Sequence, residues 1–131
     1  MQGPAHVGLS WLLGETARLE QRQDRRIVGL AGIAPDIDVL TYPLAYIAFG
    51  GDLDSAFTVY AAVHHRYTHG VLFVVLAALV AWRWSTPTCR IKVAVLTVCS
   101  VLLHIAGDIV ASGNAWPVYP LAPFSDDAWI V

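Results

Sequence analysis

Two apolar runs without a charged side chain, residues 70–82 and 93–103, limit what this chain can fold into more than any other feature. Each run is shorter than the roughly 20 residues of a full bilayer span, so we expect helices that extend past it, with Trp82 and Trp84 at a membrane interface. Only 14% of the 131 residues are charged, whereas soluble domains carry about 25%. Since a small soluble domain needs a charged shell, the sequence predicts a chain that lipid partly covers.

The apolar segments and the breaks between them predict an all-α fold. We expect a compact, membrane-embedded helical bundle of about four to five helices, in a single domain over residues 1–131. Pro35 disfavours helical backbone at the residue before it, so a turn or helix break is expected there. Asp54 or Ser55 is the expected N-cap of the helix that precedes the histidine-rich segment. The tail, residues 112–131, is expected to form an irregular packed loop.

Helix geometry predicts that the charges separate to two ends of the bundle. A helix rises about 1.5 Å per residue, so one helix leaving His69 and another returning to Asp108 bring His104 back to the level of His65. In the same way, the first helix runs away from His6 and the next segment returns, which brings Asp36 and Asp38 to the level of His6. Seven of the eight basic residues then lie at the opposite end: Arg18, Arg22, Arg25, Arg26, Arg83, Arg90 and Lys92. The positive-inside rule places that end in the cytoplasm and the histidines on the outer side; the alternative is a chance segregation of polar loops.

Two pairs of side chains have the spacing of chelating ligands. His65 and His69 are four residues apart, so on a helix they would share one face, as in H-E-x-x-H sites. His104 and Asp108 repeat this spacing inside an otherwise apolar helix, where ionisable residues are costly and indicate function. Taken alone, a histidine in an apolar helix is more often a satisfied core residue than a ligand. The conjunction of the two pairs favours a metal site.

Asp36 and Asp38 add two carboxylates directly after Pro35. In an extended turn both can face one cation, or one can bind it while the other orients a ligand or water. Buried carboxylates need partners, and a divalent cation suits the whole group of side chains. Histidine and aspartate ligands without cysteine favour zinc, manganese or iron over calcium. We therefore expect one or two divalent ions, with zinc first, and two ions would suit phosphoryl or acyl hydrolysis.

The order of these motifs resembles that of the LexA-regulated, membrane-bound metal-dependent hydrolases, with a more distant likeness to zinc-dependent phospholipases C. The matching segments are His6 to Gly8, Pro35 to Asp38, His65-Arg66-Tyr67-Thr68-His69 and His104 to Asp108. Gly70 departs from the family pattern, in which serine is usual. The resemblance implies a metal-dependent hydrolase of the inner membrane and names no substrate. We expect a multi-pass chain with the site facing away from the cytoplasm. The metal ligands that it implies are His6, Asp36, Asp38, His65, His69, His104 and Asp108.

The expected reaction is hydrolysis of an ester or phosphoester, in a lipid or lipid-linked substrate, by a water that the metal activates. Asp36 or Asp38 would be the general base. Arg66 would hold the anionic group of the substrate through its bidentate guanidinium; its alternative role is a salt bridge to either aspartate. His64 is the candidate acid for the leaving group.

The expected partners are membrane lipids and a small-molecule or lipid-like ester. A net charge of -2 and the lack of a basic stripe with interleaved aromatic residues argue against nucleic acid. One alternative is a membrane metal-binding or ion- or proton-handling protein without hydrolytic activity, although the chain has few spans and no inverted repeat. Another is a structural protein whose polar cluster only locks helix packing. Metal content tests the structural alternative, and substrate turnover separates hydrolysis from ion handling.

Overall fold

Six α-helices and two short 3-10 helices make up the regular structure of the residues that the computed structural model describes, 3–112 and 116–129. The all-α prediction is confirmed. The α-helices are α1 (Gly3–Thr16), α2 (Arg22–Ala31), α3 (Thr41–Ala48), α4 (Leu53–Val63), α5 (Val71–Trp84) and α6 (Arg90–Ser112). The 3-10 helices are Ala34–Leu40 and Pro87–Cys89. Six helices form rather than four to five because the apolar stretch around Pro35 divides into α2, a 3-10 helix and α3.

The helices pair as three antiparallel neighbours in chain order, α1 with α2, α3 with α4 and α5 with α6. Contacts of α6 with α1 and α2 join the first and last pairs. Two buried apolar clusters fill the space between them, one toward each end of the bundle. The cluster near His104 contains Ala31, Val74, Val101, Ile105 and Val118. The other contains Leu19, Val28, Ala81 and Val93.

The N-cap of α4 is Asp52, so the prediction of Asp54 or Ser55 is wrong by two or three residues. The Asp52 carboxylate accepts hydrogen bonds from the backbone N–H groups of Asp54 and Ser55, both at 3.3 Å. An N-cap side chain satisfies donors in the first turn, and here Asp54 and Ser55 occupy that turn. The carboxylate of Asp52 also accepts from the Ser55 hydroxyl, which strengthens the same arrangement.

The segment between α4 and α5, residues 64–70, is a loop and not the helix that the spacing of His65 and His69 predicts. His65 has a left-handed backbone, with φ 61°, which a helix cannot accommodate. The two imidazole rings still lie close together, with centroids 4.5 Å apart. Their proximity therefore comes from the loop path and not from a shared helical face.

Within residues 3–112 and 116–129, one helical segment, Pro87–Ala111, is long and apolar enough to cross a bilayer. A second crossing is reached if Arg22–Ala31 and Ala34–Ala48, bent by 57°, count as one broken span. Among the described residues α5 is apolar but shorter than a span, so the run at 70–82 does not extend as far as expected. Large apolar side chains are exposed along these elements, among them Ile47, Leu79 and Val110. Lipid is the environment that such a surface fits.

Candidate metal centre

Four side chains from three separate segments converge on one point. Asp36 comes from the 3-10 helix, His69 from the loop before α5, and His104 and Asp108 from successive turns of α6. One donor atom of each lies within 4.8 Å of all the others. His104 Nε2 is 2.9 Å from Asp108 Oδ2 and 3.3 Å from Asp36 Oδ1. The His69, His104 and Asp108 side chains are buried, and 28% of the Asp36 side chain is exposed.

The hydrogen bond of His104 decides which of its nitrogens faces this group. Nδ1 lies 2.7 Å from the carbonyl oxygen of Gly32. A carbonyl oxygen only accepts, so Nδ1 carries a proton and donates. In the neutral ring the lone pair is then on Nε2, which lies 3.1 Å from His69 Nε2 and 2.9 Å from Asp108 Oδ2. Lone pairs at these separations repel, so either a proton or a cation belongs among them. A divalent ion fits this donor set, because metal-bound histidines commonly donate their other N–H to a carbonyl.

Asp38 lies behind His69 and outside the four-residue group. Asp38 Oδ2 is 3.5 Å from His69 Nδ1 and accepts hydrogen bonds from the Thr68 hydroxyl at 2.9 Å and the His65 N–H at 3.3 Å. Its other oxygen is 3.0 Å from His64 Nδ1. With these neighbours around it, the carboxylate is placed to orient imidazoles. The structure therefore separates the two aspartates of the Pro-Asp-x-Asp motif, with Asp36 among the donors and Asp38 in the layer behind them.

His6 and His65 approach the same carboxylate from other elements. His6 Nε2, on α1, lies 3.3 Å from Asp108 Oδ1, and the ring packs on His104 with centroids 3.8 Å apart. His65 Nε2 lies 3.9 Å from Asp108 Oδ2, and its Nδ1 lies 3.3 Å from the Trp116 carbonyl oxygen. Burial, together with the neighbouring imidazoles of His69 and His64, lowers the pKa of His65 to about 4. The ring is therefore neutral at neutral pH, which is the form that can coordinate a metal.

Small residues let the helices that carry these groups approach closely. A Cβ on Gly32 would lie 2.1 Å from Ser10 Oγ and 2.5 Å from the His6 carbonyl oxygen, so only glycine fits there. The Ser100 hydroxyl on α6 donates to the Val28 carbonyl on α2 at 3.0 Å and accepts from the Ser10 hydroxyl on α1. These contacts bring α1, α2 and α6 together one turn below the imidazoles.

His64 lines a cavity of about 160 Å³ with Phe57, Trp116 and Tyr119. Its ring packs against Trp116, with centroids 5.3 Å apart, and its Nδ1 faces Asp38. Nε2 has no hydrogen-bond partner within residues 3–112 and 116–129. The cavity therefore presents an oriented imidazole beside the metal centre.

Arg66 forms a salt bridge with Asp126 in the tail, so the alternative role, a salt bridge to Asp36 or Asp38, does not occur in this structure. The guanidinium also lies over the Tyr119 ring, 5.1 Å from its centroid. The backbone explains the difference. The loop that carries Arg66 packs against the tail, since the Tyr119 N–H donates to the His65 carbonyl at 3.0 Å. The Gly-Asn-Ala stretch at 113–115, part of the tail expected to be irregular, lies outside the described residues.

Three groups that hold the imidazoles were not predicted as site residues. Thr68 lies within the His65 to His69 motif, and its position between the two histidines could have identified it as a site residue. The carbonyls of Gly32 and Trp116 carry no side-chain signal, because any residue has a backbone oxygen. They are recognised only from the hydrogen bonds to His104 and His65.

The bundle also shows the charge separation that helix geometry predicts. The loop between α1 and α2 and the loop between α5 and α6 meet at the end opposite to the imidazoles, where the Asp24 carboxylate accepts from the Thr86 N–H at 2.9 Å. That end carries Arg18 in the first loop and the basic residues in the adjoining turns of α2, α5 and α6. The part of α1 from His6 to its end at Thr16 separates that end from His6 by about 15 Å.

Comparison with known proteins places the chain in a membrane family. The family model described as YdjM inner membrane protein matches residues 1–131, the whole of this sequence. No curated protein and no solved structure matches the chain. The family description names a location and no reaction, and the location agrees with the apolar surface and with the candidate span in α6. The chain belongs to the YdjM inner membrane protein family.

Proposed function

We propose that this chain is a membrane-bound, metal-dependent hydrolase of ester or phosphoester bonds, acting on a lipid or lipid-linked substrate. The observation that carries the proposal is the convergence of Asp36, His69, His104 and Asp108 within 4.8 Å. Their donor types favour zinc, with manganese or iron as alternatives. His6 and His65, close to the Asp108 carboxylate, extend the donor set toward a second ion.

The chain's own residues divide into holding, orienting and proton-handling groups. Asp36, His69, His104 and Asp108 would hold a divalent ion, which would supply Lewis-acid chemistry toward an ester or phosphoryl oxygen and lower the pKa of a bound water. Asp38 orients His69 and His64 through its two oxygens. His64 can then exchange a proton through Nε2 with a group in the neighbouring cavity, which suits general acid or base work. Asp36, the exposed donor, lies where a substrate reaches the group from outside.

Arg66 is proposed to hold the anionic group of the substrate. It lies one residue from His65 and beside Tyr119, which lines the cavity. Its salt bridge partner Asp126 is exposed, and an exposed pair of this kind contributes little stability. A substrate phosphate can therefore compete with Asp126 for the guanidinium.

We further propose that the protein is multi-pass, with the metal centre facing away from the cytoplasm. Most of the basic residues lie at the other end of the bundle, in the loop between α1 and α2 and in the adjoining turns of α2, α5 and α6, and basic residues beside membrane segments favour the cytoplasmic side. A site at the outer face would meet the headgroups of the outer leaflet, which is consistent with a lipid substrate.

Metal content and turnover test the proposal together. The purified full-length chain is expected to contain one or two divalent ions by elemental analysis and to cleave a chromogenic phosphodiester or acyl ester. His104→Ala and Asp108→Asn are expected to lose both the metal and the turnover, because they remove donors from the group. Cys99→Ser, exposed on the same helix, is the matched control and is expected to keep both.

His64→Ala separates the reaction from metal binding. We expect it to retain the metal and to lose turnover by a factor of about 10² or more, the usual contribution of a general acid or base. Stoichiometric metal without turnover of any ester or phosphoester would instead favour a metal-binding or ion-handling protein. Absence of bound metal, in a folded sample supplied with zinc, would leave only a structural role for the cluster.

A further inference from the structure

We propose that a cavity at the basic end of the bundle binds the phosphate group of an anionic phospholipid. The cavity has a volume of about 280 Å³ and lies between the loop joining α1 to α2 and the loop joining α5 to α6. Its polar lining consists of Arg18, Glu20, Gln21, Thr86, Thr88 and Lys92. The site is independent of the metal centre, which lies at the other end of α1 and α6.

The cavity carries an uncompensated positive charge. Neither Arg18 nor Lys92 has an ion pair or hydrogen bond from its side chain in the part of the chain that the structure describes. Two other cations at this end are engaged, since Arg25 pairs with Glu15 at 3.3 Å and Arg90 lies over the Trp82 ring. The cavity lining holds two cations and the single carboxylate of Glu20. The excess of one positive charge matches the one negative charge of a phosphodiester headgroup, and the Thr86 and Thr88 side chains supply hydroxyl donors.

The walls of the cavity are held in place from α2. Arg25 donates to the backbone carbonyls of Leu19 and Glu20, which anchors the first loop. The buried Asp24 carboxylate accepts from the Thr86 N–H at 2.9 Å, which anchors the second loop. A ligand therefore meets a cavity that is already formed, and little conformational entropy is lost on binding.

Arg18 occupies a backbone position that usually belongs to glycine. The N–H of Arg18 donates to the Glu15 carbonyl at 2.9 Å, and the N–H of Leu19 donates to the Gly14 carbonyl at 3.3 Å. These are the two hydrogen bonds of a Schellman motif, whose left-handed residue is most often glycine. Arg18 adopts φ 53° at that position, which is unfavourable for a residue with a Cβ. Strained backbone is often found at binding sites, so this conformation of Arg18 is consistent with a side chain that binds a ligand.

The position of the cavity relative to the membrane surface favours a lipid as the source of the phosphate. Trp82 and Trp84, exposed at the end of α5, are typical of a membrane interface. Lys92 lies in the first turn of α6, at the start of the candidate span. The cavity is therefore at headgroup level in a chain of an inner membrane family. Basic pockets between helices at this level bind anionic headgroups in other membrane proteins.

The test is the affinity of the full-length chain for phosphatidylglycerol in phosphatidylcholine nanodiscs, measured by native mass spectrometry. The test variant is Arg18→Gly combined with Lys92→Gln. Arg18→Gly removes a charge while placing the favoured residue at the left-handed position, so the fold is expected to persist. We expect phosphatidylglycerol to bind on the order of five-fold more weakly for each charge removed. Retained metal content, measured in the same samples, reports that the distant centre and the fold are intact.

Arg26→Gln is the matched control, since Arg26 is an exposed cation at the same end that does not line the cavity. It is expected to bind phosphatidylglycerol nearly as the wild type does. An equal loss in the control would overturn the proposal, because attraction to the whole basic end would then explain binding. Displacement of phosphatidylglycerol by millimolar inorganic phosphate would overturn the lipid assignment and identify a soluble phosphate instead. An unchanged affinity in the double variant would exclude the cavity altogether.

Discussion

The hydrogen bond from His104 Nδ1 to the Gly32 carbonyl sets the geometry of the candidate metal centre. It fixes the ring orientation and leaves Nε2 facing Asp36, His69 and Asp108. The contact requires the backbone after α2 to lie against α1 and α6. The orientation of the donor group therefore depends on the Gly32 carbonyl oxygen as well as on the side chains that would bind the metal.

Gly32→Ala tests this backbone requirement. The new Cβ would meet Ser10 Oγ at 2.1 Å and the His6 carbonyl oxygen at 2.5 Å, so the backbone must move. We expect a loss of about 1–3 kcal/mol in the free energy of unfolding and a weaker affinity for zinc, because the acceptor of His104 shifts. Chemical denaturation in detergent and zinc titration measure the two effects.

Gly8→Ala is the control, since a Cβ there has no neighbour within 4 Å. It lies on the same helix as Ser10 and is expected to be neutral or slightly stabilising, because alanine favours helix more than glycine. Equal stability of the two variants would show that α1 and the residue 32 segment do not pack as closely as described.

At the scale of elements, α6 connects the two ends of the molecule. Its 23 residues span about 34 Å, with Lys92 in its first turn and His104 and Asp108 near its far end. Between them Ser100 links α6 to Ser10 on α1 and to the Val28 carbonyl on α2. Packing of α6 through this serine therefore determines the register of the imidazoles relative to Gly32.

Ser100→Ala is expected to lower the free energy of unfolding by about 1 kcal/mol, the scale of interhelical hydrogen bonds in membrane proteins. The buried hydroxyl of Ser10 and the carbonyl of Val28 would each lose a partner. Thermal unfolding in detergent provides the measurement. Cys99→Ala, one residue earlier and exposed, should leave the midpoint unchanged; a comparable shift in both variants would mean that the hydrogen bonds of Ser100 contribute nothing specific.

At the scale of the whole molecule, the histidines lie at one end with Asp36, Asp38 and Asp108, and most of the basic residues lie at the other. The bundle keeps the two groups apart because α1 and α6 run between the ends. For such a molecule the positive-inside rule predicts an orientation with the basic end in the cytoplasm.

Cysteine labelling tests the orientation. In a background with Cys89→Ser and Cys99→Ser, we expect a membrane-impermeant maleimide to label Asp127→Cys in intact spheroplasts. Arg26→Cys should react only after permeabilisation. Both introduced positions are exposed to solvent in the structure. The opposite pattern would place the metal centre in the cytoplasm, and labelling of both positions from outside would rule out a membrane-crossing bundle.

The sequence by itself determined the features that depend on local backbone geometry and composition. Apolar runs with few charges indicated helices partly covered by lipid, and the rise of a helix was enough to place His104 and Asp108 at the level of the other histidines. The His104 to Asp108 spacing needed no tertiary information, because four residues on a helix always share a face. The same rule was wrong for His65 and His69, since the chain there is a loop.

Only the tertiary structure decided which atoms each group faces. Asp38 lies behind His69, Arg66 pairs with Asp126, and His104 donates to a backbone carbonyl. These partners are 31 or more residues apart in the chain, and no local pattern specifies contacts of that range. Their choice follows from how closely α1, α2 and α6 pack, which depends on the volumes of small residues such as Gly32 and on the path of the loops.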